Sequence, residues 1–119
     1  VEDDPRARKL VGDVLQFKGY TTVEAETAEH GIQIAQEARP ALIIMDIRLP
    51  GMDGMAAVRE LRADARTHRI PVIAMTASVT YNEQKFTAAG FSGYHAKPIN
   101  VSRFLETVRT ALRSEEATA

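Results

Sequence analysis

The sequence contains no cysteine, which excludes disulfides, thiolate zinc sites and thiol nucleophiles. Neither sign of charge is in surplus: 15 lysines and arginines meet 16 aspartates and glutamates, for a formal net charge of −1. That balance argues against the basic footprint needed for DNA, RNA or an anionic membrane. Long apolar runs are missing too. The longest, Ala41–Met45, falls far short of the ~20 residues that cross a bilayer, and no basic-then-apolar signal segment opens the chain. No Walker-type glycine loop is present to cradle a nucleotide. His30, His68 and His95 fall on different elements without metal-ligand spacing. Together these absences lead to the expectation of a cytoplasmic protein that binds neither nucleic acid nor membrane.

What is present is a regular alternation of helix-like and strand-like stretches. With 119 residues the chain fits one domain with a core of its own, expected over 1–113, with 114–119 as a frayed tail or the start of a linker. Asp4-Pro5 reads as an N-cap followed by proline at the first helical position. Ala7, Leu10, Val11, Val14 and Leu15 then form an apolar stripe, and Gly19 a stop. Thr21–Ala25 is a strand candidate and Ala28–Ala38 a second helix. Ala41–Met45 is continuously apolar, as a parallel strand buried on both faces should be, and runs directly into Asp46.

A turn, Pro50-Gly51-Met52-Asp53-Gly54, precedes a helix over Met55–Ala65, with Asp53-Gly54 read as its cap. Ile70–Met75 is a strand ending at Thr76. A helix over Tyr81–Ala89, a short strand within Phe91–Ala96 and a last helix bearing Val101, Phe104, Leu105, Val108 and Leu112 complete the pattern. The basic stretches Arg6–Lys9 and Arg59–Arg69 are read as solvated helix faces.

Strands alternating with helices of this length imply βαβ units and a parallel sheet covered on both faces. Ligands of such sheets bind beyond the carboxyl ends of the strands. Glu2-Asp3, Asp46, Thr76 and Lys97 all stand at such ends, so the fold should bring them together. Three carboxylates in one pocket repel one another and push a proton onto one of them. A hard divalent cation relieves this, and an open all-oxygen site suits Mg²⁺ better than zinc. Lys97 adds a positive charge suited to phosphate, and Thr76 a hydroxyl that can donate to a phosphoryl oxygen. This is the apparatus of phosphoryl transfer, which asks for positioning and charge neutralisation. A carboxylate can serve as the nucleophile, giving an acyl phosphate. Asp46, ending the most buried strand, is the candidate.

The opening V-E-D-D, M-D-I-R-L-P-G-M-D-G at 45–54, M-T-A-S at 75–78 and A-K-P-I at 96–99 resemble response-regulator receiver domains of the CheY-like superfamily. The stretch K-P-I-N-V-S-R-F-L-E-T-V is similar to single-domain receivers of the DivK type. The resemblance implies a flavodoxin-like doubly wound (βα)5 fold with strand order 2-1-3-4-5, in a two-component phosphorelay. It implies that Asp46 accepts phosphate from a sensor histidine kinase or a histidine phosphotransfer protein. Asp3 would ligate Mg²⁺ directly, Glu2 through water, and the backbone carbonyl of Arg48 would add a ligand beside Asp46. Thr76 and Lys97 would bind the phosphoryl oxygens, and Tyr94 would be the switch aromatic that turns inward when Thr76 engages. The Lys97-Pro98 bond would be cis. A downstream protein would be met by the fourth helix, fifth strand and fifth helix of the family, here about Val79 to Leu112. Arg48 and Ser78, each two residues past a site residue, stand near the path of attacking water and are read as tuning the lifetime of the phosphate.

Receivers open with an apolar strand before the acidic pair, and in this chain only Val1 precedes it. Most of the first strand is thus absent from the sequence, and about five to seven further residues are expected. The expected role is that of a switch rather than an enzyme, limited to self-catalysed phosphoryl acceptance and slow autodephosphorylation, with a stand-alone receiver preferred over one cut from a longer regulator or hybrid kinase. Other readings compete. A haloacid-dehalogenase-type phosphatase also uses an aspartyl nucleophile with Mg²⁺, but carries a second Asp where this chain has Arg48. A flavodoxin-like cofactor binder needs a phosphate-cradling loop where this chain has Glu2-Asp3-Asp4. The third is an interaction module that works without phosphorylation.

Overall fold

Helix signals written in the sequence are used as expected. In the computed structural model, which describes residues 1–49, 51–76, 83–97 and 99–118 (Glu83 and 113–118 by backbone only), α1 spans Pro5–Phe17. The Asp4 side chain accepts from the Arg6 N–H at its start. Gly19 closes it at φ 89°, its N–H donating to Gln16 O. That left-handed turn is easy only without a Cβ. α2 covers Ala28–Ala38, capped by the Thr27 hydroxyl accepting from the His30 N–H. α3 covers Gly54–Ala63, with the Asp53 carboxylate accepting from the Ala56 N–H, so Asp53-Gly54 does cap this helix. α4 is Glu83–Ala89; the expected start at Tyr81 lies outside the described residues. α5 runs Val101–Thr118, through the stretch expected to be a tail. No proline or glycine interrupts it, so nothing local ends the helix.

Three strands, β1 Ile43–Asp46, β2 Val72–Thr76 and β3 Gly93–Ala96, form a parallel sheet in the order β1-β2-β3. Registers pair Ile44 with Ile73 and Asp46 with Met75, then Met75 with His95 and Thr76 with Ala96. The strands alternate their side chains between two separate cores. Ile43, Met45, Val72 and Ala74 point into one, with Ile32 of α2, Val58 and Leu61 of α3 and Phe86 of α4. Ile73 and Met75 point into the other, with Leu15 of α1 and Phe104 and Val108 of α5. Helices on both faces of a parallel sheet are the doubly wound arrangement.

Thr21–Ala25 is not a strand, which corrects the sequence reading. It nonetheless sits at the expected edge. Val1 N–H donates to Ile44 O, Asp46 N–H to Val1 O at 2.9 Å, and Glu2 N–H to Ala25 O at 3.0 Å. Val1-Glu2 therefore lie between β1 and residues 21–25, so the sequence of neighbours is the 2-1-3-4-5 order of the expected fold. An apolar groove of about 550 Å³ borders both Thr21–Ala25 and Leu42–Ile44.

Candidate functional site

The carboxyl ends of the sheet converge as the topology requires. Asp46 is the last residue of β1 and is buried; Thr76, the last of β2, is buried beside it in the sheet. Lys97 follows β3 directly, and its backbone N–H donates to Thr76 O at 2.7 Å. Its ammonium lies 2.9 Å from Asp46 Oδ2 and also donates to Glu2 Oε1. The other Asp46 oxygen, Oδ1, accepts from the Arg48 N–H at 3.2 Å. Glu2, Asp3 and Asp46 each bring one carboxylate oxygen within 4.8 Å of the others. Four sequence-distant segments thus supply one pocket, held by one lysine.

Its electrostatics divide the two buried acids. Burial raises the Glu2 carboxyl to about 7, and the neighbouring Asp46 carboxylate pushes the same way; the contact with Lys97 opposes both. Asp46 is also pushed up by burial, but the adjacent Glu2 carboxyl and the Lys97 ammonium that donates to it outweigh this and hold Asp46 below its ordinary value. The two acids are thus pushed apart, Glu2 towards the protonated form and Asp46 towards the anion. Lys97 is raised: burial lowers it, and the two carboxylates more than compensate.

A metal fits these groups on two counts. Glu2 Oε2 is buried and, among the described residues, has no hydrogen-bond partner, a costly state that a cation or its bound water relieves. All the donors are oxygens, the set that suits Mg²⁺. Asp3 is exposed at the rim of the pocket.

Tyr94 is 40 % exposed, its ring stacked on buried Phe86 with centroids 5.0 Å apart. Arg48 is exposed and touches Asp46 through its backbone N–H. Ser78 and the Lys97-Pro98 bond lie outside the described residues. His30, His68 and His95 stay out of the acidic cluster; His95 instead bonds Thr107 Oγ1 through Nε2 at 2.8 Å.

Two residues read as solvated charge are not so. Arg62 is half-buried and donates to the carbonyls of Gly90, His68 and Ile70 at 2.9, 3.1 and 2.7 Å. Arg8, with its side chain 19 % exposed, donates to Glu2 O at 3.0 Å. Helical spacing could have found Arg8, because it shares the inward face with Val11, Gly12 and Leu15.

Comparison with known proteins agrees with the geometry. The family model described as the response regulator receiver domain matches residues 1–109. The polar-differentiation response regulator DivK of Brucella anthropi is 37 % identical over 113 residues, covering 94 % of this chain and 92 % of that one. Among solved structures, a putative response regulator from Chloroflexus aurantiacus superposes with a TM-score of 0.90 at 27 % identity, over 95 % of this chain and 93 % of that one. The receiver domain of sensor histidine kinase PA1611 from Pseudomonas aeruginosa, which carries a magnesium ion coordinated in its active site cleft, gives 0.86 at 30 % identity, over 94 % and 93 %. This chain belongs to the response regulator receiver domain family, the phosphoacceptor modules of two-component signalling.

Proposed function

We propose that Asp46 is the phosphoryl acceptor of this receiver and that Glu2, Asp3 and Asp46 hold Mg²⁺ during transfer. The observation that carries this reading is the acceptor's setting. An anionic carboxylate at a buried strand end has Lys97 Nζ at 2.9 Å and two further acids within metal-sharing distance. Transfer forms a P–O bond at the Asp46 carboxylate as the donor's P–N bond breaks and the imidazole nitrogen keeps the electron pair. Glu2, Asp3, Asp46 and the backbone carbonyl of Arg48 would hold Mg²⁺, which would supply charge neutralisation at the phosphoryl oxygens. Lys97 would pair with a phosphoryl oxygen and Thr76 would donate its hydroxyl to another. Tyr94, now stacked outward on Phe86, would turn inward with Thr76.

The donor on this reading is a sensor histidine kinase or a histidine phosphotransfer protein. The target meets the face built from α4, β3 and α5, and the setting is the cytoplasm; no helix among the described residues is long and apolar enough to cross a membrane. Arg48, a large cation two residues past the acceptor, would slow hydrolysis, so Arg48→Ala should lose its phosphate faster. An exchange of Asp for Arg at that same position disfavours a turnover phosphatase. Incubation with Mg²⁺ and acetyl phosphate, read by intact mass, tests the assignment. One phosphoryl adduct is expected, abolished by Asp46→Ala and by EDTA. A folded wild-type protein that takes no adduct would instead favour an interaction module independent of phosphorylation.

A further inference from the structure

We infer that Arg8 is a positioning residue for the metal-binding acidic pair, a role that rests on the reading of Glu2, Asp3 and Asp46 as the Mg²⁺ site. The carbonyl that Arg8 grips belongs to the peptide joining Glu2 to Asp3. Arg8 Nη1 donates to this oxygen at 3.0 Å, while Nη2 lies 3.4 Å from Glu26 Oε1 and Nε 3.7 Å from Glu24 Oε2. Between those two glutamates, Ala25 O accepts the Glu2 N–H at 3.0 Å. The Glu2 residue is therefore fixed at both its N–H and its carbonyl, by partners that one guanidinium ties together. One residue past Asp3, the Asp4 carboxylate is committed to capping α1. Asp3 is thus held between an anchored peptide and an anchored cap, with a carboxylate oxygen within 4.8 Å of those of Glu2 and Asp46.

The surroundings are shaped for this grip. Gly12 stands one turn after Arg8, and a Cβ there would come 2.9 Å from Glu24 Oε1, so the missing side chain makes room for Glu24 to reach the guanidinium. The guanidinium meets a carbonyl and two carboxylates through three different nitrogens of one rigid plane; a lysine ammonium has its three donors on one atom and cannot span the same positions. Groups of this kind, which orient metal ligands without touching the metal, are commonly worth 10–100-fold in metal affinity.

Charge and geometry make opposite predictions for Arg8, which gives the test its power. Replacing Arg8 by Ala leaves Glu24 and Glu26 without their cation, and on charge alone would tighten Mg²⁺ binding. If Arg8 positions the pair, binding weakens. Mg²⁺ titration by calorimetry on the full chain should show Arg8→Ala weaker by roughly tenfold. Arg8→Lys, with the charge kept and the fork lost, should fall between, and the exposed Arg6→Ala should be unchanged or slightly tighter. The Mg²⁺ level for half-maximal phosphoryl uptake from acetyl phosphate should rise in parallel, with the plateau at saturating Mg²⁺ unchanged. Arg8→Ala or Arg8→Lys binding Mg²⁺ as tightly as wild type overturns the inference. Should Arg8→Ala fail to fold, Arg8→Lys alone decides on the same criterion. A wild-type protein that binds no Mg²⁺ removes the metal-site reading and this inference with it, whereas wild-type binding with unaffected Arg8 variants removes this inference only.

Discussion

Gly54→Ala sets two effects of known sign against each other. Gly54 opens α3, and alanine in a helix is favoured over glycine by about 1 kcal/mol, so propensity alone predicts stabilisation. Packing predicts the reverse. A Cβ at Gly54 would stand 2.4 Å from Asp46 O, 2.9 Å from Ile47 Cα and 3.1 Å from Asp46 C, against about 3.4 Å for an ordinary contact. All three neighbours are backbone atoms at the end of β1, so no rotamer change relieves the overlap, and α3 or the strand end must retreat by about 1 Å. Overpacking of this kind costs about 1–3 kcal/mol. The Gly54 N–H bond to Ile47 O, 2.9 Å long, is strained by the same movement, for about 1 kcal/mol more.

Less the propensity gain, the net loss is about 1–3 kcal/mol, or on the order of 5–20 °C in melting temperature for a domain of this size. Urea unfolding followed by circular dichroism reads it as a lower midpoint at unchanged slope. The displaced backbone is that of Asp46 itself, so phosphoryl uptake from acetyl phosphate should slow at temperatures where the variant is fully folded. A Gly54→Ala protein as stable as wild type, or more so, would show that α3 does not press on the Asp46 backbone.

Three further outcomes follow from contacts away from the pocket. Thr67 is buried and its hydroxyl donates to Leu61 O at 2.7 Å; Thr67→Val should cost about 1–3 kcal/mol and Thr67→Ser far less, and equal denaturation midpoints for Val and wild type would refute this. Arg62→Met strips a charged donor from three carbonyls on two loops and should cost about 2–4 kcal/mol, whereas the exposed Arg59→Met should be near neutral; equal effects would sink the distinction. His95 is lowered from its ordinary value of 6.5 by burial and then by the nearby Arg103 charge. The unfolded chain therefore takes up a proton that the folded one resists, and the stability His95 contributes is present above pH 6.5 and lost as pH falls below it. Unfolding measured between pH 5 and 7 should show a flatter slope in His95→Gln than in wild type, and identical slopes would refute it.

The parts of this molecule that could be read from sequence are those where one stretch of chain carries its own physical constraint. Ala41–Met45 and Val72–Met75 are apolar without alternation because both faces of those strands are covered. Asp46, Thr76 and Lys97 then had to meet, because the carboxyl ends of parallel strands lie together. Asp4-Pro5 and Asp53-Gly54 mark helix starts through bonds spanning two or three residues, which local pattern captures. Thr21–Ala25 was read as a strand and is not one, since a strand is defined by its partner's backbone, which local pattern does not show.

Arg8 and Arg62 escaped for a different reason, and it bears on how receivers should be read. Both sit in charge-rich stretches, where composition suggests solvent, yet their acceptors are main-chain carbonyls, which no side-chain pattern reveals. Gly90 O lies 28 residues from Arg62, and the Glu2 carbonyl precedes Arg8 by a loop and a turn of helix. Periodicity separates the two kinds of arginine where composition does not. Arg6 and Lys9 fall on the exposed side of α1, while Arg8 falls in line with Gly12 and Leu15, which are buried. A cation on the buried stripe of an amphipathic helix has to find oxygen. When the nearest oxygens belong to the loop carrying the acidic pair, holding that loop is the work left for it to do.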